Sequence, residues 1–451
     1  MNLSSYFQIK ERGSGFQTET FAGITTFAAM AYIIFVQPAI MSGQMFNLNT
    51  GMDFEALVTT TCIVSAIGCL LMGIMANFPV GLAPGMGENF YFVLSVLPVC
   101  AALPGMKAGT APVWQLALGL VFVSGVIFAV ISFLNVRKFL MDAISPGLKN
   151  AIAAGIGLFI ALIGLQNGKV IVTQGGHYAL NGQFTSAASL VFLTGLLTIA
   201  VLHILKVRGA ILLGIIAAAL VAAATGEITF GQPFGMPANP GPLLFSMDLP
   251  GVMCHLWQLL PLIIIFTFMD VFDTLGTVIG VGSSAGLMKD GELPNSARIF
   301  AADATATVAG ACCGHSTVTS FIESVTGVEA GGKTGFTAVV TGLCFVLAMF
   351  LTPFIKVIAG YMPITAPALV VVGAMMLKNI RDIDWDDFSE AIPAFLVISG
   401  IPFCYSIADG MILGFITYPL IKLLSGRGKS IGWLTYLLAF ILLAYLLVLK
   451  K

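Results

Sequence analysis

The chain has 451 residues, 58% hydrophobic and 9% charged, with a net charge of −1 and a mean hydropathy of +0.99. Soluble domains carry roughly 25% charged residues, so the composition excludes an ordinary soluble protein and reads as an integral membrane protein. There is no basic stripe to suggest nucleic acid. No nucleotide-binding P-loop or second soluble domain is present that could drive transport with ATP.

Taken in chain order, the polar residues 1–19 form a cytoplasmic N-terminus that leads into a first membrane helix, not a cleaved signal. Apolar runs follow near 20–42, 57–78, 80–100, 113–135, 147–168, 187–206 and 209–225. A Gly/Pro-rich loop at 226–250 separates them from runs near 256–283, 298–313, 314–333, 336–355, 364–379, 388–403 and 405–424. Each run is near the ~20 residues that cross a bilayer, so the count is seven plus seven. A further run at 431–449 is either a fifteenth span or the sign that one span has been split in two.

The basic residues test the count. With Lys10 and Arg12 inside, the groups Arg137, Lys138 and Lys149; Lys206 and Arg208; Lys289 and Arg298; Lys378 and Arg381; and Lys422, Arg427 and Lys429 all fall inside. Lys169 and Lys356 are exceptions, and the last run carries Lys450 and Lys451 outside. The eight cysteines sit mostly in or beside apolar runs without metal-ligand spacing, and read as membrane-interior residues rather than a disulfide framework.

Seven spans per half require the halves to be inverted, the arrangement of secondary transporters, whose sites lie where helices are interrupted near the midplane. The third run of each half is so interrupted: "VGLAPGMGENFYF" (80–92) is dense in Gly and Pro, and 313–335 is rich in polar and β-branched residues. Backbone of that kind is tolerated in a membrane only where protein or a cavity satisfies it.

The chemistry-bearing residues cluster at these places. Asp270, Asp273, Thr274 and Thr277 follow i, i+3, i+4, i+7 spacing and share one helix face, which must point into protein or a water-filled cavity. It is either a substrate and proton site or a polar seam, with Asp273 as well suited to bracing a broken helix. Glu323 lies in the second interruption, where burial favours its neutral form and allows hydrogen bonding to a heterocycle or proton exchange. Asn89 offers two donors and an acceptor to a planar ring, or caps a helix after Gly87. Phe90, Tyr91 and Phe92 either stack on such a ring or pack. Glu88 is a fourth carboxylate near the break, facing a vestibule or a basic partner. Asp303 reads as a brace, Lys333 as an inner-face anchor, and His315 as a structural hydrogen-bonding group or a proton relay.

The motifs "ERGSGFQTETFAGITTFAAMAYIIFVQPAIM", "APGMGENFYF", "GIGLFIALIGLQNG", "DVFDTLGTVIGV", "HSTVTSFIESVTGVEAGGKTGFTAVV" and "AIPAFLVISGIPFCYSIADG", in this order over nearly the whole length, resemble the nucleobase–cation symporter-2 family in its adenine/guanine/hypoxanthine permease branch. The resemblance implies fourteen helices in two inverted seven-helix repeats, with short extended stretches in helices three and ten. It also implies a core domain (20–135 and 250–355) that moves against a gate domain (136–235 and 360–451). It places base recognition on Asp270, Glu323 and Asn89, and is compatible with a homodimer. The chain departs from the branch at Glu88 (usually apolar), Phe90 (usually small), His315 (usually threonine) and Gln37 (usually asparagine).

The resulting expectation is an all-α, multi-pass protein of the cell membrane, of bacterial inner-membrane type, that imports a purine base with protons and needs no cofactor or metal. Asp270, Glu323, Asn89, Thr274, Phe90 and Gly87 are expected to contact substrate, and Asp270, Asp273 and Glu323 to couple protons. Asp270 would face the base, with Asp273 bracing or relaying protons behind it. The alternatives are a carrier of xanthine, uracil or an inorganic anion on the same fold, a channel, or a membrane-embedded aspartyl protease. The acids disfavour an anion, and a protease would place its two aspartates on different helices.

Overall fold

The structure is a computed structural model that describes residues 3–133, 144–174, 176–183, 185–288, 293 and 295–448. Arg137, Lys138, Lys289, Lys450 and Lys451 lie outside the described residues. The first half comprises α1 (Phe16–Met30) and α2 (Ile33–Met41), α3 (Phe54–Leu71), β1 (Leu82–Pro84), α4 (Met86–Tyr91) and α5 (Leu97–Ala101), α6 (Ala111–Phe133), α7 (Pro146–Asn167), the pair β2 (Ile171–Gln174) and β3 (His177–Leu180), α8 (Ala187–Ile204) and α9 (Ala210–Ala224). The second comprises α10 (Leu256–Ser284), α11 (Ser296–Cys312), β4 (Val318–Ser320), α12 (Val325–Glu329), α13 (Gly335–Ala348), α14 (Thr352–Gly360), α15 (Met362–Met376), α16 (Phe388–Phe403) and α17 (Ile407–Leu424), and α18 (Trp433–Val448) follows. The fourteen apolar runs correspond to separate segments, several of them broken into two or three elements, and α18 is a further helix packed on α17 and touching α10. Among the described residues, nine helical stretches are long and apolar enough to cross a membrane unaided.

The two interrupted runs meet. Pro79, Gly81, Pro84 and Gly85 deny the first a continuous helix. In the second, Gly314 (φ +84°) ends α11 in a left-handed turn before Thr317, Val318 and Thr319 extend. β1 and β4 pair antiparallel, with Leu82 opposite Ser320 and Pro84 opposite Val318.

A two-stranded ladder in a membrane leaves outward edges that need partners, and equivalent helices of the two halves supply them. Cys69 on α3 bonds the Leu82 amide and carbonyl through Sγ (3.3 and 3.4 Å). Thr307 on α11 bonds the Val318 amide and carbonyl through Oγ1 (3.1 and 3.0 Å). The helices can approach so closely because Gly68 and Gly310 face the strands; a Cβ at either would stand 2.9 Å from Leu82 Cβ or 2.6 Å from Val318 Cγ2.

Around this crossing, α13 packs on α1 and α3, and α11 on α3 and α6. A second group is held together by α7 on α15 and α16, α8 on α9 and α15, and α16 on α17. On the face where the chain starts, Lys422 of α17 is buried and pairs with Glu390 of α16 at 2.9 Å, while Arg427 reaches Asp387 at 2.8 Å. Hydrogen bonds from the Ser389 hydroxyl and amide, aided by Arg427 and Lys422, hold the Asp387 carboxyl below its ordinary range. Lys356, an exception to the charge pattern, pairs with Glu55 at the opposite face. The β2–β3 hairpin was not anticipated, although the Gly-Gly between its strands is a hairpin dipeptide.

Candidate functional site

Three groups of side chains surround the crossing. The first is acidic. Asp270 on α10 is fully buried; its Oδ2 accepts from Thr307 Oγ1 at 2.8 Å, and its Oδ1 is enclosed with no hydrogen-bond partner among the described residues. Thr307 has one proton and two acceptors within reach, Asp270 Oδ2 and the Val318 carbonyl. Asp303 is also fully buried but fully engaged, taking the Thr274 hydroxyl at 2.6 Å and the Ser320 hydroxyl at 2.8 Å. It thereby ties α10, α11 and β4 together. Asp273 accepts from Thr319 at 3.2 Å and, unlike Asp270, is exposed. Thr274 and Thr277 are buried. The four residues of the predicted face therefore divide: Asp270, Thr274 and Thr277 are buried, and Asp273 is exposed.

Further along α10 toward the face where the chain starts, Gly276, one turn beyond Asp273, is exposed too, and a Cβ there would have nothing within 4 Å. Glu323, in the short turn between β4 and α12, is half-buried beside it and takes a 2.8 Å hydrogen bond from Tyr32, at the break between α1 and α2. Asp273 lies within electrostatic reach of Glu323. Glu88 is buried, with its carboxylate folded back over Gly85 and within electrostatic reach of Asp273 and Asp303. Among the described residues no basic side chain pairs with Glu88.

The second group is neutral. The Asn89 amide is fully buried; its nitrogen donates to Gln37 Oε1 and its oxygen accepts from Ser316. Gln37 Nε2 is 2.9 Å from His315 Nδ1, and His315 Nε2 is 2.8 Å from Thr60 Oγ1. His315 thus has both ring nitrogens bonded to buried side chains.

The third group closes the far side. Phe90 is enclosed, edge-on to Phe46 (5.4 Å) and Phe159 (6.1 Å), and Phe159 meets Tyr405 at 5.0 Å. Tyr405 Oη donates to Gln166 at 2.7 Å, and Ser95 lies 3.4 Å from Ser406. Gly87 abuts Ile156 of α7, where a Cβ would come within 3.3 Å. Phe90 and Gly87 thus form the contact between α4 and α7.

Residues 17–412 match the profile of the Permease family. Relatives align over nearly full length. A putative permease of Methanocaldococcus jannaschii is 42% identical over 97% of each chain. The guanine/hypoxanthine permease PbuO of Bacillus subtilis is 39% identical over 98% of this chain and 100% of its own. The adenine permease AdeQ of Escherichia coli is 35% identical over 95% and 93%. This chain is a member of the nucleobase–cation symporter-2 permease family.

The permease is therefore a multi-pass membrane transporter and not an enzyme. Its fold is that of solved transporters of the same seven-plus-seven inverted-repeat architecture. The transmembrane domain of a cyanobacterial bicarbonate transporter, BicA, superposes with a TM-score of 0.64 at 14% identity, over 88% of this chain and 97% of its own. SLC26A9 superposes at 0.63 and 13%, over 90% and 65%.

Sequence reasoning missed Tyr32, Thr307 and Thr60 in this permease. Tyr32 had a signal, a hydroxyl in mid-span where lipid offers it no partner. Thr60 sits in "TTTC" and Thr307 in "ATATV", runs in which nothing local distinguishes one hydroxyl from the next.

Proposed function

We propose that the protein imports a purine base (adenine, guanine or hypoxanthine) together with protons, by alternating access. The observation that carries this reading is the enclosed, unpartnered Asp270 Oδ1 beside the strand crossing. A carboxylate oxygen buried without a donor is costly. Two events relieve the cost: protonation, or arrival of an N–H donor such as a purine edge presents. Asp270 thus answers to both cargo and proton. The full-length relatives named as adenine and guanine/hypoxanthine permeases support the choice of a purine. The cluster of Glu88, Asp270, Asp273 and Asp303 is inhospitable to an anion.

In this reading Glu323, oriented by Tyr32, and Asn89 hold the base, and Asp273 at the mouth passes protons between water and Asp270. Protonating Asp270 at Oδ2 reverses its bond with Thr307, which then gives its own proton to the Val318 carbonyl. The protonation state is in that way communicated to β4. Thr274 supports the site by fixing Asp303, while Phe90 and Gly87 act at the closed side. The separate packing of α7–α9 with α15–α17 supports their movement as a gate against a core built from the remaining spans.

Uptake of radiolabelled adenine, guanine, hypoxanthine, xanthine and uracil in purine-transport-deficient cells, with and without a protonophore, tests this. One purine is expected to accumulate, to be lost with the protonophore, and not to be taken up by Glu323→Gln. Accumulation of xanthine or uracil alone would overturn the substrate assignment, and insensitivity to the protonophore would overturn the coupling.

A further inference from the structure

We infer that Gln37 and His315 are positioning residues that set the orientation of the Asn89 amide, through a hydrogen-bond chain of fixed direction running across four spans. The inference rests on the assignment of Asn89 as a base contact. Ser316, Asn89, Gln37, His315 and Thr60 have no solvent exposure. Their links run from the Ser316 hydroxyl to Asn89 Oδ1, from Asn89 Nδ2 to Gln37 Oε1, from Gln37 Nε2 to His315 Nδ1 (2.9 Å), and from His315 Nε2 to Thr60 Oγ1 (2.8 Å). Thr60 Oγ1 lies 3.0 Å from the Ala56 carbonyl.

The direction follows from the two amides. The Gln37 nitrogen only donates, so His315 Nδ1 accepts from it and the ring hydrogen lies on Nε2, which donates to Thr60, whose own proton has the Ala56 carbonyl within reach. Gln37 then presents its oxygen to the Asn89 nitrogen, which leaves the Asn89 oxygen to accept from Ser316. Every link has one donor and one acceptor. An imidazolium would set an Nδ1–H against the Gln37 N–H, so His315 is a fixed neutral ring in this chain and not a proton relay. One N–H and one lone pair of Asn89 remain, on sides that the chain dictates; reversing the amide would exchange donor and acceptor toward the base.

Two measurements on the full-length protein test the inference. In protein labelled with ¹⁵N-histidine, with His315→Gln identifying the signals, His315 is expected to show a bare Nδ1 and a protonated Nε2. An Nδ1–H tautomer or an imidazolium overturns the chain, and this holds whatever the cargo. In uptake assays, Gln37→Leu and His315→Leu are expected to raise KM about tenfold to a hundredfold, with Vmax nearly unchanged. In an Asn89→Ala background the same substitutions should add almost nothing, because their effect passes through that amide. Losses that multiply in the Asn89→Ala background overturn the positioning role. If wild type carries no purine, the substrate assignment fails by itself, and the histidine spectrum still decides the chain.

Discussion

The two sides of the β1–β4 crossing are closed and opened by different materials. Toward the outer face, Phe46, Phe90, Phe159 and Tyr405 interlock edge to face, and Ser95 touches Ser406. Toward the face where the chain starts, Asp273 and Gly276 are exposed and Glu323 is half-buried under Tyr32. Contacts between aromatic rings can part and re-form without orphaning a polar group. Carboxylates cannot be enclosed so freely and need water, a partner or a proton. In the proposed cycle the apolar side would act as a door and the acidic side as the place where cargo and protons are exchanged. In the structure the apolar side is closed by these contacts.

The largest effect should come from fastening that door. In a background that keeps the buried Cys69 and lacks the other native cysteines, Ser95→Cys/Ser406→Cys is expected to form a disulfide on oxidation and to abolish uptake, with recovery on reduction. Unchanged uptake after complete cross-linking would mean that these two segments do not separate during transport. A smaller, more selective effect is expected on the acidic side. Asp273→Asn should still exchange labelled for unlabelled base across the membrane but should no longer concentrate it. A variant that still accumulates base against a gradient would remove Asp273 from the coupling. The smallest effect should come from Tyr32→Phe, which deletes one hydrogen bond to Glu323. A bond to a charged group contributes about 1.5 kcal/mol, so KM should rise about tenfold, with the protonophore response intact.

Much of this was legible in the sequence, and the reason is the solvent. A bilayer sets span length and penalises every exposed backbone group, so fourteen runs and two interruptions can be read from apolar lengths and from residues such as Pro84 and Gly314. The acids were legible because Asp270, Asp273 and Glu323 stand out against lipid-compatible neighbours. Their difference in burial was not. Asp270 and Asp273 are three residues apart, and only the placement of α11 and β4 decides that one is enclosed and the other exposed. Tyr32 and Glu323 are 291 positions apart, and Gln37 and His315 are 278 apart. Such pairings come from how the halves interleave, which no local pattern encodes. The C-terminal run was ambiguous for the opposite reason: α18 is apolar enough to span, and nothing in its composition marked it as lying outside the repeat.

The strand crossing has a consequence for how the molecule can move. The ladder extends past its strands through Gly85 N–H to the Thr317 carbonyl and Phe321 N–H to the Gly81 carbonyl, both at 3.0 Å. Its outer edges are occupied by Cys69 and Thr307. Pulling these strands apart would strand a row of peptide groups far from water, each costing several kcal/mol. In the proposed alternating-access cycle the crossing would be the least mobile point of the molecule, an axle. Because one strand comes from each half, the axle would belong to neither, and the helices sewn to it would turn together while the others swing past.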